Sequence, residues 1–327
     1  MKYLVLGGSH REGSLGKPEW SQFECAVAML VDAESLRHRV VLDYISPQDV
    51  SSPEPARAVL FKAGTLLNDH LYLCTQTEVL VYRYPEMVQV RYLTLPFFND
   101  LHHVRPRSNG NLLVVSTGLD MVFEIDRSDR VVNEWAVVPE SGWRKFSREE
   151  DYRLLPTTKP HLSHPNYVFE LGGQPWTTRF EQRDAICLDD PTRRIAIDVQ
   201  RPHDGEIAFD KVYFTTVDGN IVIADSKTLQ QLEVIDLNVI EQVDYSLGWC
   251  RGLHVVDEER VVVGFSRIRP TRFRENIRWV RHKLSGAPTS GLRPSRIAQY
   301  NLASRELEWD VNLERVGLNA VFSIHPV

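Results

Sequence analysis

Four histidines stand at nearly one spacing from a Ser or Thr that ends the next apolar run. His103 to Ser116, His164 to Thr177 and His203 to Thr216 are each 13 residues, and His254 to Ser266 is 12. Neutral imidazoles brought to one axis suit Zn²⁺, Fe²⁺, Cu²⁺ or Ni²⁺, and three or four of them on rigid strands leave a coordination position for water or substrate. The expected metal set is therefore His103, His164, His203 and His254, with Zn or Fe as the expected ion. Asp204 and Glu206, in "HDGEIAF", are candidate bases or partners of the ligating rings, because such a ring usually donates its second N–H to a carboxylate or carbonyl. Asp100 can serve His102 or His103 in the same way. Which of those two adjacent rings faces the axis stays open, since a one-residue slip turns a strand side chain to the other face. The competing reading of all these rings is that they bond only water and backbone in a polar channel.

A second chemistry-bearing segment runs from Arg267 to Arg296, with nine Lys or Arg and one acid, Glu275. Arg272, Arg274 and Arg278 are its candidate substrate-binding residues, joined by Trp249 and Arg251 just upstream. Guanidinium forks at a channel mouth suit a carboxylate, phosphate or sulfate, so the expected partner is a small anionic molecule. A solvated loop balancing an acidic body is the plainer alternative. Trp143, Trp249, Tyr245 and Trp279 either wall a pocket or pack blades. "GGSHREGSLG" lacks the GxxxxGK[ST] pattern of a phosphate loop, and no GxSxG or HExxH occurs.

These residues need elements to position them, and a repeat supplies those elements. Residues 101 to 135 read as four short apolar strands, "LHHVRP", "NLLVVST", "MVFEIDRS" and "RVVNEW". The pattern returns over 203 to 236 and 253 to 311, and more weakly over 56 to 95 and 164 to 199. A sixth unit needs both ends of the chain: "NAVFSIHPV" supplies one strand, and "KYLVLGGS", "CAVAMLVDAES" and "RVVLDY" supply three. Two ends that complete one sheet are what closing a ring of blades requires. The expectation is an all-β, six-bladed propeller of four-stranded antiparallel blades, one domain over 1–327, with a terminal blade from 316–327 plus 1–48. Insertions at 8–23, 138–163 and 267–295 are expected on one face, around the mouth where the histidines sit.

The repeat units, with their "hhhhD…T…" third strands, resemble six-bladed propellers of the NHL, arylsulfotransferase and peptidylglycine-lyase type. WD dipeptides and kelch double glycines do not recur. The histidine ring looks like that of peptidylglycine lyases, which hold zinc with histidines from several blades, and like that of carotenoid oxygenases, which hold iron with four on seven blades. That resemblance implies a metal-dependent lyase or hydrolase, with a metal-bound hydroxide or a carboxylate such as Glu206 as base and an arginine of the 267–281 segment holding substrate. Resemblance to arylsulfotransferases implies instead a covalent channel histidine, His103 or His254. A third reading is a non-catalytic propeller that binds a ligand or protein through the basic 267–296 loop.

Composition narrows the classes. A net charge of −6 argues against general nucleic-acid binding. No apolar run approaches the roughly 20 residues that span a bilayer. The apolar start, "YLVL", is too short for a signal h-region, and Cys25, Cys74, Cys187 and Cys250 form no CxxC pair, so reduced thiols and a cytoplasmic setting are expected.

Overall fold

The computed structural model describes residues 1–14, 17, 21–53, 58–243, 246–268 and 293–327. In chain order the strands are β1 (Lys2–His10), β2 (Phe23–Asp32), β3 (His38–Tyr44), β4 (Thr65–Leu67), β5 (His70–Cys74), β6 (Val79–Arg83) and β7 (Val88–Leu93). Then come β8 (Leu101–Pro106), β9 (Leu112–Ser116), β10 (Met121–Ile125), β11 (Val131–Ala136), β12 (Pro165–Leu171), β13 (Gln174–Arg179), β14 (Asp184–Cys187) and β15 (Arg194–Ala196). The last are β16 (Glu206–Ala208), β17 (Lys211–Thr215), β18 (Asn220–Asp225), β19 (Gln231–Asp236), β20 (Trp249–Val255), β21 (Arg260–Ser266), β22 (Arg296–Asn301), β23 (Glu306–Asn312) and β24 (Ala320–Pro326). They form six four-stranded sheets, five of them consecutive in sequence and the sixth ordered β24-β1-β2-β3. The expected six-bladed propeller, closed by its two ends, is therefore present. Among the described residues no helix is long and apolar enough to cross a membrane, and all four cysteines are free.

Burial explains the strand sequences. Middle strands are covered on both faces and read as continuous apolar runs: every residue of "LLVVS" in β9 and "MVFEI" in β10 is buried. Outer strands face solvent, so no residue of β3 or β11 is fully buried and both mix charged or amide side chains, such as Arg39, Asp43, Asn133 and Glu134, with apolar ones. Each seam between neighbouring blades has its own apolar core. Leu4, Leu6, Leu71 and Leu73 join the terminal blade to the first. Cys74, Leu93, Val104 and Val114 join the next pair, followed by Leu113, Val122 and Val168, then Phe169, Trp176 and Phe214. Tyr213, Val263 and Tyr300 fill the fifth seam, and Val5, Val262 and Val321 the sixth. Six seams for six blades close the circle.

Closure has a steric condition. β1 pairs with β24 from Tyr3↔Pro326 to Gly8↔Ala320. A Cβ on Gly7 would lie 1.7 Å from the Ala320 carbonyl oxygen, so only glycine lets the two ends of the chain approach this closely.

Every inner strand also begins with one extra residue. His102 is unmatched between Leu101↔Ser116 and His103↔Val115, and Phe322 between Val321↔Gly7 and Ser323↔Leu6. Asn166 and Tyr167 face only Thr178, and Arg251 and Gly252 face only Gly264. Pro202 bridges Thr216 while Glu206 faces Tyr213, so three residues oppose two. In the first blade Lys62 N–H donates to Cys74 O at 2.9 Å while Thr65 faces Tyr72, so Ala63 and Gly64 oppose Leu73. Bulges of this kind bend a strand and re-aim its side chains.

Gly7→Ala forces β1 and β24 apart and should destabilise the fold by about 3 kcal/mol. Urea unfolding followed by circular dichroism measures it, and a midpoint unchanged from wild type would contradict the closure described.

Candidate metal centre at the propeller mouth

The bulges sort the inner-strand residues into layers. One residue past the last pair before the bulge stand Ala63, His102, Asn166, His203, Arg251 and Phe322; two past it stand Gly64, His103, Tyr167, Asp204, Gly252 and Ser323. Glu206, His254 and His325 fall four past it. The expected ring of His103, His164, His203 and His254 is thus spread over four levels and does not form. Equal chain separation failed as a ruler because hairpin turns differ in length between blades and each bulge shifts the ladder by one.

His103 has a structural task. Its ring is fully buried and stacked on Tyr167 at 3.8 Å, with 14° between planes. Nδ1 accepts Val168 N–H at 3.1 Å, so Nε2 carries the proton shared by Gly64 O and Thr65 Oγ1, both at 3.2 Å. Burial holds this imidazole well below its usual range, hence neutral. Deeper in the bore, His254 Nδ1 lies 3.4 Å from Glu206 Oε1, which accepts Val255 N–H at 3.2 Å. His325 Nε2 pairs with Ser323 Oγ at 2.7 Å. Asp204, expected as a base, uses Oδ2 to accept Gly252 N–H at 2.9 Å and the Thr215 hydroxyl. Asp204 and Glu206 therefore tie blade four to blade five.

The chemistry-bearing cluster is at the mouth. Among the described residues, one group offers three mutually close ligand atoms: Asp100, His161 and His164, all within 4.8 Å of one another. His102 joins them, its ring 4.9 Å from that of His164 and 6.2 Å from that of His203. Of the expected ligands, His164 belongs to this group and His203 borders it, while His161, His102 and Asp100 complete it. "HLSHPN" and the doubled His102–His103 were the available signals. The i,i+3 histidine pair in a long insertion was the stronger of the two.

Local structure positions each group. Asp100 and His164 both have left-handed backbone, φ 49° and 56°, a conformation that costs energy and concentrates at functional sites. Asp120 sets the loop carrying His161 and His164: its buried carboxylate accepts Leu162 N–H at 2.7 Å, Ser163 N–H at 3.1 Å and His164 N–H at 2.7 Å. Asn99 holds the same loop further back through Tyr152 O at 2.7 Å and Leu155 O at 2.9 Å. Nothing in the sequence pattern marked Asp120 or Asn99.

Proton positions follow from the hydrogen bonds. His102 Nδ1 donates to Asp100 O at 2.8 Å, which leaves the lone pair on Nε2. Thr158 Oγ1 donates to Gly118 O, so His161 Nε2 donates to Thr158 at 3.3 Å and its Nδ1 accepts from His164 Nδ1 at 2.7 Å. Two nitrogen ligands of a tetrahedral ion stand about 3.3 Å apart, so for both Nδ1 atoms to hold one ion the rings must part by about half an ångström and the His164 proton must move from Nδ1 to Nε2. Burial, reinforced by Lys62, holds His102 well below the usual imidazole range; burial with His102 and His161 does the same for His164, and burial lowers His161. Neutral rings are the form a cation binds. Burial would raise the Asp100 carboxyl, but Lys62 at 3.1 Å and His102 hold it well below the usual range. Oδ1 meets Lys62 and leaves Oδ2 to turn toward an ion.

Beside this cluster lie two cations. Lys62 Nζ is 4.9 Å and the Arg251 guanidinium 3.8 Å from the centre of the Phe322 ring. Trp249 stands next to them, 5.9 Å from the Arg251 guanidinium. Arg272, Arg274 and Arg278 lie outside the described residues. At the ends of their insertion, Arg267 pairs with Glu314 at 2.9 Å, and Arg293 and Arg296 pair with Glu241. Trp143 packs on Phe97 and under Arg148 rather than lining the mouth.

Fold and site together define a six-bladed β-propeller with a histidine–carboxylate cluster at one mouth. No protein-family model and no curated protein sequence matches the chain. Solved structures do. A protein of unknown function from Bacteroides caccae superposes with a TM-score of 0.61 at 10% identity, covering 100% of this chain and 98% of that one. A chain of the nidogen/laminin complex gives 0.58 at 8% identity over 99% and 97%. At these identities the likeness shows the fold alone. Virginiamycin B lyase from Staphylococcus aureus gives 0.46 at 13% over 72% and 69%, too distant to carry an inference.

His103→Ala removes a stacked ring and strands Val168 N–H, and should cost about 3 kcal/mol while leaving metal affinity unchanged; urea unfolding and a zinc titration read the two effects separately. Asp120→Ala frees three amides of the ligand loop and should weaken zinc binding by about tenfold or more, measured by competition with a chromogenic chelator.

Proposed function

We propose that the mouth holds a divalent transition metal, Zn²⁺ or Fe²⁺, through Asp100, His161 and His164, and that the chain is a metal-dependent enzyme of lyase or hydrolase type acting on a small anionic molecule. The observation that carries this reading is the convergence of a carboxylate and two neutral imidazoles within 4.8 Å. A mixed nitrogen and oxygen donor set suits both ions. The metal would supply Lewis acidity to a bound oxygen. The chain's own residues do the rest. Asp100 and the two rings orient the ion, and Asp120 fixes the loop that bears them. His102 sets a fourth lone pair beside the cluster. Arg251 and Lys62, the second of them paired with Asp100, set two cations beside the cluster, and a cation there can receive the anionic group of a substrate.

Protein purified without an affinity tag should carry close to one equivalent of metal by elemental analysis, and His161→Ala/His164→Ala should carry almost none. Equal content in the two, or none in either after incubation with zinc or ferrous salt, would end the proposal. A blank result combined with a covalently labelled histidine would favour group transfer instead.

A further inference from the structure

The mouth residues of blades one, four, five and six add a feature that metal binding does not use. Arg251 and Lys62, 8% and 4% exposed, both approach the Phe322 ring. A guanidinium over an aromatic face keeps its N–H groups directed outward in its own plane. The His203 ring lies 6.0 Å from that of Phe322 and 6.2 Å from that of His102, between the cations and the metal ligands. It is 3% exposed; Nδ1 faces the Asp204 carboxylate, and Nε2 makes no hydrogen bond within the described chain. Buried polar atoms are normally satisfied, so one left without a partner at the mouth points to a ligand.

Asp204 settles which nitrogen is offered. Its Oδ1 stands 3.5 Å from His203 Nδ1, while Oδ2 is taken by Gly252 N–H and the Thr215 hydroxyl. An anionic oxygen on that side keeps the ring proton on Nδ1. His203 Nε2 is then an acceptor, unsuited to an oxyanion and suited to an O–H. The mouth thus presents cationic donors with a neutral acceptor next to them.

We propose that the substrate is a small hydroxy acid: its carboxylate sits between Arg251 and Lys62 against Phe322, and its neighbouring hydroxyl donates to His203 Nε2, facing the metal cluster. This assignment rests on the mouth being the reaction site, but the recognition it describes needs no metal. One buried charge-assisted contact and one hydroxyl–imidazole hydrogen bond are the two terms that select the ligand.

The test uses the full chain stripped with chelator and titrated calorimetrically with glycolate and with acetate. Glycolate should bind about tenfold more tightly than acetate. His203→Leu should abolish that preference without weakening acetate, and Arg251→Met should weaken both by about tenfold or more. If Arg251→Met loses the cooperative melt of the wild type, Lys62→Gln replaces it, with the same expected direction. No binding of either acid, equal affinities in the wild type, or a preference that survives in His203→Leu would overturn the proposal. Because these titrations contain no metal, their failure leaves the metal reading standing, and a blank elemental analysis leaves this one standing.

Discussion

One extra residue near the start of each of the six inner strands is the backbone feature that sets both the mouth and the bore of this propeller. The bulge sends consecutive side chains to different surroundings: Leu101 into a seam, His102 to the mouth, His103 against Tyr167. The same step in other blades presents His203, Arg251 and Phe322 to the mouth, and sets Asp204, Gly252 and Ser323 one level below. Mouth chemistry and bore packing are therefore two outputs of one backbone irregularity.

The level below the mouth is where the blades grip one another. Gly64 O meets His103 Nε2, His103 stacks on Tyr167, Asp204 takes Gly252 N–H, and the Ser323 hydroxyl approaches Gly64 O. Polar contacts around the bore and apolar seams outside it divide the work. The seams supply burial, and the bore contacts fix the angular positions on which any ligand geometry depends. The long connection from β11 to β12 is then pinned by Asp120 and Asn99 onto this rigid platform, so two ligands borne by a loop are placed nearly as firmly as ligands borne by strands.

Much of the fold was legible in the sequence because blade packing imposes a visible pattern. Doubly covered middle strands have to read as apolar runs such as "LLVV" and "NIVIAD", and a shared terminal blade needs matching pieces at both ends. The site was less legible for a geometric reason. Counting residues from His103, His203 and His254 to a downstream Ser or Thr treats hairpin turns as equal, yet β8 and β9 are joined by a longer connection than β16 and β17. A ruler of that kind places residues on the right strand and the wrong side of it. Asp100 was noted only as a partner, and His161 had no periodicity to betray it. Arg251 was marked beside the basic insertion, although the contact that matters is its approach to Phe322 across a blade boundary.

One buried ring has a further bearing on where this protein can persist. His103 is neutral in the folded chain, with burial holding its proton affinity well below the free value of 6.5. An unfolded chain would take up that proton as the medium drops below about pH 6.5, while the native one refuses it. The stability contributed by the neutral ring is fully present above that point and drains away beneath it. Acidification is thus the direction in which the toroid is vulnerable, and the joint between the second and third blades is one of the places where buried neutral rings, His102, His164, His203 and His325 among them, make it so.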